Sequence, residues 1–216
     1  MKGLIVCVVI FVLLLVCIMG FVKMYASIYN SIIEATQQVN KGVGDLESEY
    51  QRRYALIDNL LEIVKKTEEF EKYLVGVEKD IYIKVAEAKA TATKLDMGKP
   101  AEFKNRVKKE SGLGSMLTNF FDKLMVMAQK YPEIKDPKVK DRNKTFESLE
   151  KLRSELKDIE ENILHTRKCL NEYTRVYNQT IQIFPANIIA NRHNFKDLTF
   201  FEVLNEEARE DVKISF

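Results

Sequence analysis

Residues 146–184 read FESLEKLRSELKDIEENILHTRKCLNEYTRVYNQTIQIF. Within this stretch Leu149, Leu152, Leu156, Ile159, Ile163, Thr166, Leu170, Tyr173, Tyr177, Thr180 and Phe184 follow alternating steps of three and four. A 3.5-residue repeat sustained over five heptads predicts a long helix with left-handed, coiled-coil-like packing. Asp136-Pro137 opens this element and Pro185 closes it, so the helix is expected over about 138–184.

Upstream, a second long stripe runs Ile28, Ile32, Ala35, Val39, Val43, Leu46, Tyr50, Tyr54, Ile57, Leu61 and Val64, again at helical period. It slips near Lys66, where two cations precede Thr67-Glu68-Glu69, a C-terminal signal followed by an N-cap signal. Helices are therefore expected over 28–66 and, from the stripe Phe70 to Leu95, over 68–96, ended by Met97-Gly98-Lys99-Pro100. The charged stretch 101–112 reads as a partly helical connector. Ser111-Gly112-Leu113-Gly114-Ser115 reads as a flexible turn, since no Lys-Ser/Thr follows to make it a phosphate loop. Leu117 to Ala128 gives a shorter helix at 115–131, stopped by Tyr131-Pro132. Phe200 to Glu210 suggests a short amphipathic helix at 199–209. Segments 28–66 and 146–184 have equal length, about 58 Å each, which suits an elongated antiparallel four-helix bundle with two long and two shorter helices. The last helix then returns Asn187-Ile188-Ile189-Ala190 to the neighbourhood of Tyr25 and Tyr29.

The apolar start completes an all-α architecture. Gly3 to Val22 carries no charge and as a helix spans roughly 30 Å, the hydrocarbon thickness of a bilayer. Tyr25 and Tyr29 follow where amphipathic rings collect. A cleaved signal peptide needs a shorter apolar region and a small-x-small site, and bulky Met24 and Tyr25 precede Ala26-Ser27. Leu15-Val16 before Cys17 does not suit a lipoprotein signal. Residues 1–27 are thus expected to be an uncleaved transmembrane anchor with its juxtamembrane segment, and 28–216 the helical domain. Lys2 and the amino terminus on one side balance Lys23 and Lys41 on the other, so charge does not set the orientation.

Composition narrows the chemistry. Across 216 residues, 34 Lys+Arg and 32 Asp+Glu nearly cancel to +2, against a nucleic-acid binder, which needs a strong basic excess. Two His and three Cys leave little for a metal centre or a nucleophile–base pair. Glu161-x3-His165 lacks the second copy that an inward-facing carboxylate–histidine metal site requires. Cys7 and Cys17 sit in the apolar run, leaving Cys169 alone beyond it, beside Arg167 and Lys168 but with no base that spacing supplies. No catalytic, cofactor or metal residues are assigned. The polar residues beside the stripes carry more information. Arg53 flanks Tyr50 and Tyr54; Arg167, Asn171 and Asn178 flank the last heptads; Glu160 is a candidate partner for an arginine on the facing helix. This layer either sets helix register, forms a surface that another protein reads, or consists of side chains snorkelling at a solvated edge.

Several stretches in order resemble the LemA family of membrane-anchored bacterial proteins. They are Tyr29-Asn30, Arg52-Arg53-Tyr54-x-Leu56-Ile57-x-Asn59-Leu60, Tyr131-Pro132-Glu133-Ile134, Arg167-x3-Asn171 and Tyr177-Asn178. To these add Phe184-Pro185-x-Asn187-x-Ile189-Ala190 with Phe195, and the closing Phe201-Glu202 and Ile214-x-Phe216. The resemblance implies a single-pass anchor in the cell membrane with the helical-bundle bulk in the cytoplasm, and it brings no catalytic residues with it. Asp58 departs from the family's usual proline. Asn191-Arg192-His193-Asn194 replaces a segment usually apolar and glycine-containing, which weakens the expectation of membrane contact by this loop.

Taken together, these features lead to the expectation of a non-enzymatic scaffold or adaptor held in the bilayer by residues 3–22. It would bind unidentified protein partners, a second copy of itself among the candidates, with no small-molecule substrate and no nucleic acid. The alternative is a regulator or sensor partner of a membrane enzyme such as a protease, with the interruption near Lys66 as its switch.

Overall fold

The computed structural model describes residues 2–65, 96–130 and 140–201. Among the described residues the chain is all-α, with helices α1 (Lys2–Lys65), α2 (Pro100–Lys130), α3 (Lys140–Gln182) and α4 (Ala186–Arg192). The expected helix over 68–96, the interruption at Lys66, the Tyr131-Pro132 stop and Asp136-Pro137 lie outside them, as does the chain beyond 201. Residues 199–201 of the expected C-terminal helix are not helical. The packed residues fall into two compact units, Met1–Lys41 with Asn171–Leu198, and Gly42–Leu170 with Thr199–Phe216.

The apolar run and the first stripe form one continuous helix of 64 residues. Val22 to Ser31 contains no Gly or Pro, and an α-helix satisfies its own backbone hydrogen bonds in lipid or in water alike. The environment changes along this helix without requiring a break. Leu4 to Val22 is exposed throughout, and this part of α1 is long and apolar enough to cross a membrane.

In the first unit, Ile32, Ala35 and Val39 of α1 are buried, with Thr174, Tyr177, Asn178 and Ile181 of α3 and Ala186, Ile189 and Ala190 of α4. The heptad pattern predicts Tyr173, Thr180 and Phe184 on the inner face instead. Tyr173 and Thr180 are half-buried and Phe184 is 75% exposed. Beyond Leu170 the buried positions drift as those of a straight 3.6-residue helix do, so the heptad register ends there. The structure also corrects the loop expected at Asn191–Asn194. Asn191 and Arg192 are helical, Asn194 is left-handed (φ 57°), and the amides of Asn194 and Phe195 bond the carbonyls of Asn191 and Ala190. That pair of bonds is a Schellman cap with asparagine in glycine's usual place.

In the second unit, Val43, Leu46, Tyr50, Tyr54, Ile57 and Leu61 are buried as the α1 stripe requires, joined by Arg53, Leu56 and Leu60. The buried arc widens because α1 here meets both α2 and α3. Phe103, Val107, Leu113, Leu117, Phe120, Phe121 and Leu124 line α2, and Leu149, Leu152, Leu156, Ile159, Ile163 and Leu170 line α3. Each such side chain contributes about 1.5–3 kcal/mol of apolar burial. Contacts of Tyr50 with Arg167 and of Arg53 with Glu160 run α3 antiparallel to α1.

The stretch read as a connector and turn at 101–115 is helix. Asp96 Oδ1 accepts from the Gly98 amide (2.9 Å) in an Asx turn, Lys99 precedes the helix, and Pro100 occupies the first position, where its missing N–H costs nothing. The helix then passes through Gly112 and Gly114 despite their low propensity.

Candidate functional site

Arg53 is the centre of the second unit. Its two neighbours on the stripe, Tyr50 and Tyr54, are buried on the same face of α1, and the guanidinium lies 5.2 Å from the Tyr50 ring centroid. Arg53 is fully buried, as is Glu110 of α2, which accepts from Arg53 Nη2 through Oε2 and from the Tyr54 hydroxyl through Oε1. Arg53 Nη1 donates to Glu160 Oε1 on α3 at 2.9 Å, and the Glu160 side chain is 32% exposed. One cation thus joins carboxylates from two other helices.

Around this centre, Arg106 lies 3.9 Å from Glu110 Oε1 and 3.7 Å from Glu47 Oε1. Arg167 donates to the Tyr50 hydroxyl at 3.1 Å and to Ser111 Oγ at 3.4 Å, and stands 5.8 Å from the Phe201 ring centroid. Phe201 packs edge-on against Phe103. Burial pushes Tyr54 well above the usual phenol range, reinforced by its hydrogen bond to Glu110 and that group's charge. Burial also raises Tyr50, partly opposed by Arg167. For Arg53, burial acts against the charged form, but Glu160 and Glu110 outweigh it and hold the guanidinium above its ordinary value. Both phenols are thus held protonated and Arg53 is held charged.

Gly114 is part of this layer. A Cβ built on it would stand 2.9 Å from Glu160 Oε1 and 3.0 Å from Arg53 Nη1. The residue read as a turn former is a helical position whose missing side chain leaves room for an ion pair.

The structure places the other expected site residues apart from this centre. Arg52 is an exposed neighbour paired with Glu49 one turn away, and Asn59 is exposed on α1. In the first unit, Asn171 is half-buried, and Tyr177 donates to the Lys196 carbonyl at 3.1 Å. Asn178 bonds Leu198 twice, donating to its carbonyl and accepting from its amide, both at 2.9 Å. Burial, then Asp197, raises Tyr177. Pro185 follows a cis peptide bond and precedes α4. Asn187 is half-buried, its Oδ1 without a hydrogen-bond donor among the described residues.

Glu110, Arg106, Tyr50 and Tyr54 complete a layer of which only Arg53, Glu160 and Arg167 were expected as site residues. A signal for Glu110 existed: Phe103, Val107, Glu110, Leu113 and Leu117 step by four, three, three and four. That spacing puts the carboxylate on the apolar stripe.

Among the described residues there is no cluster of three His, Cys, Asp or Glu able to hold a metal ion. His165 Nε2 lies 3.6 Å from Cys169 Sγ, one turn along α3, so the structure does set a histidine beside this thiol. His165 is exposed, and nucleophile activation needs a third group to orient the base. Glu160 also borders a groove of about 770 Å³ between α2 and α3, floored by Phe121, Met125, Leu156 and Leu164.

Comparison with known protein families matches residues 42–216 to the LemA family. The match begins at Gly42, the first residue of the second unit. It contains the whole Arg53 layer and leaves the apolar run outside. No curated protein and no solved structure matches the chain. Because the matched range covers well over half the sequence and includes the Arg52–Leu60 and Phe184–Ala190 stretches, the chain belongs to the LemA family.

Proposed function

We propose that this protein is a membrane-anchored, non-enzymatic scaffold or adaptor, with its helical domain on the cytoplasmic face of the cell membrane. The observation that carries the reading is α1: an apolar run exposed from Leu4 to Val22 continues in the same helix into the buried stripe Ile32–Leu61. A bilayer is the medium that covers such a run, and the unbroken helix ties the domain directly to it. Partners anchored in the same membrane then meet this domain at a raised effective concentration.

The chemistry of the Arg53 layer supports a structural role for it. Glu110 spends both oxygens on Arg53 and Tyr54, Arg53 spans two carboxylates, and burial holds both phenols protonated. Such a layer specifies helix register and pairing.

Crosslinking with mass spectrometry on the full chain in native membranes tests the reading. The expected result is retention of the intact chain in the membrane fraction after carbonate extraction, with crosslinks from the helical domain to several proteins or to itself. A freely diffusing mature product starting beyond residue 26 would overturn the anchor. Crosslinks to a single membrane enzyme would overturn the scaffold in favour of a regulator. Turnover of a small molecule by the purified full chain would overturn the non-enzymatic assignment.

A further inference from the structure

Outside α1's apolar run, seven large hydrophobic side chains are exposed among the described residues, and three of them sit together: Ile183 (52%), Phe184 (75%) and Ile188 (60%). They occupy the turn after α3 and the outer face of α4, whose inner face buries Ala186, Ile189 and Ala190. The patch belongs to the same compact unit as the apolar run. The end of α4 is fixed against the exit of that run. The imidazole Nε2 of His193, the α4 C-cap, is hydrogen-bonded to the Tyr25 hydroxyl at 2.8 Å, and its ring stacks at a tilt 4.9 Å from that of Tyr29. Tyr25 is three residues past Val22, about 4.5 Å along the helix axis, which is headgroup depth for a spanning α1. Exposed Arg192 and Lys196 flank the contact, and Lys23 precedes Tyr25, giving the positive charge that suits anionic headgroups.

We propose that Ile183, Phe184 and Ile188 form a second membrane contact, inserted at the headgroup–acyl boundary of the bilayer that α1 spans. The inference rests on the spanning reading of α1. The polar Asn191–Asn194 stretch does not oppose it, because those residues cap α4 and meet Tyr25, while the apolar exposure lies at the other end of α4 and before it. A helix this short cannot bind a membrane alone. Here the binding is intramolecular once α1 is inserted, so a small apolar patch is enough. The consequence is a two-point attachment that restrains rotation of the first unit about the α1 axis.

The chain has no tryptophan, so single Trp reporters test the proposal in the full chain reconstituted into phosphatidylcholine–phosphatidylglycerol vesicles with brominated acyl chains. Leu13→Trp reports the spanning helix and Phe184→Trp the second contact; Ile188→Trp repeats the latter at an independent position. Expected is quenching of Leu13→Trp by deep bromines, and blue-shifted emission from Phe184→Trp and Ile188→Trp quenched best by bromines close to the headgroups. If Leu13→Trp is quenched while the other two emit as in water and respond to aqueous iodide, the second contact is overturned and the anchor stands. Blue-shifted emission that bromolipid leaves untouched assigns the patch to a protein neighbour and equally overturns it. If Leu13→Trp is not quenched, both readings fail together.

Discussion

Gly114 faces Glu160 across the α2–α3 packing so closely that a Cβ on the glycine would stand 2.9 Å from the carboxylate Oε1 that holds Arg53. Glu160 can swing toward solvent to avoid the clash, but only by releasing a fully buried guanidinium. Gly112, two residues earlier, is exposed and has nothing within 4 Å of its Cβ position. The two glycines therefore predict opposite outcomes. Gly112→Ala gains the helix propensity of alanine, about 1 kcal/mol, and raises the melting temperature. Gly114→Ala gains the same propensity but displaces the ion pair, for a net loss of ~1–2 kcal/mol in stability and a lower melting temperature.

Arg53→Met takes the hydrogen-bonded guanidinium from buried Glu110 and leaves it the Tyr54 hydroxyl and the more distant Arg106. A loss of about 3–5 kcal/mol in unfolding free energy is expected, read from the urea midpoint of the detergent-solubilised chain. Adding Glu110→Leu removes the stranded charge and recovers part of the loss. Arg52→Ala, next door but solvated and paired with Glu49 one turn away, changes stability by less than about 0.5 kcal/mol. No loss in Arg53→Met would exclude the buried pair.

The raised phenols of Tyr54 and Tyr50 give a pH dependence of definite sign. Their folded values lie above the ordinary one, so their contribution is complete below about pH 10 and declines as pH rises beyond it, where the unfolded chain ionises first. The urea midpoint should fall above about pH 10. Tyrosinate absorbance from the buried rings should appear only with unfolding. Tyr54→Phe flattens the slope and lowers stability at neutral pH, since Glu110 loses its hydroxyl donor.

Asn178 makes two reciprocal hydrogen bonds to Leu198 while 9% exposed. Asn178→Ala removes both and costs about 1–3 kcal/mol. The Leu198 amide, protected in the parent chain, should exchange with solvent markedly faster in the variant. Unchanged exchange would exclude the pairing.

Asn194 closes α4 with a left-handed backbone (φ 57°). Asn194→Gly is expected to be neutral or stabilising by up to about 1 kcal/mol, whereas Asn194→Val costs about 1–2 kcal/mol through its Cβ branch. Melting curves of the two variants bracket the parent if the cap is as described.

Much of the helical organisation was legible because its signal is local. The stripe from Ile32 to Leu61 is buried position by position as its spacing requires, and α3 ends at Gln182, shortly before Pro185. Hydrophobic period is a property of consecutive residues, so it needs no knowledge of what packs against them. Charged neighbours are different. Arg52 and Arg53 are chemically identical and adjacent, yet one is solvated and the other fully enclosed. A rotation of about 100° separates them, and its meaning depends on where α2 and α3 lie.

The amino-acid order alone determined an all-helical chain of the LemA family with an apolar leading segment, because composition and period act within a single helix. Tertiary structure decided that Glu110 enters the core, that Gly114 stays helical, and that α3 leaves its heptad register after Leu170. The first two outcomes depend on a side chain from another helix, a guanidinium that must be neutralised and an ion pair that needs room, and the third on which residues α3 packs against along its length. Such requirements arise only when distant segments are brought together, and no window of consecutive residues contains them.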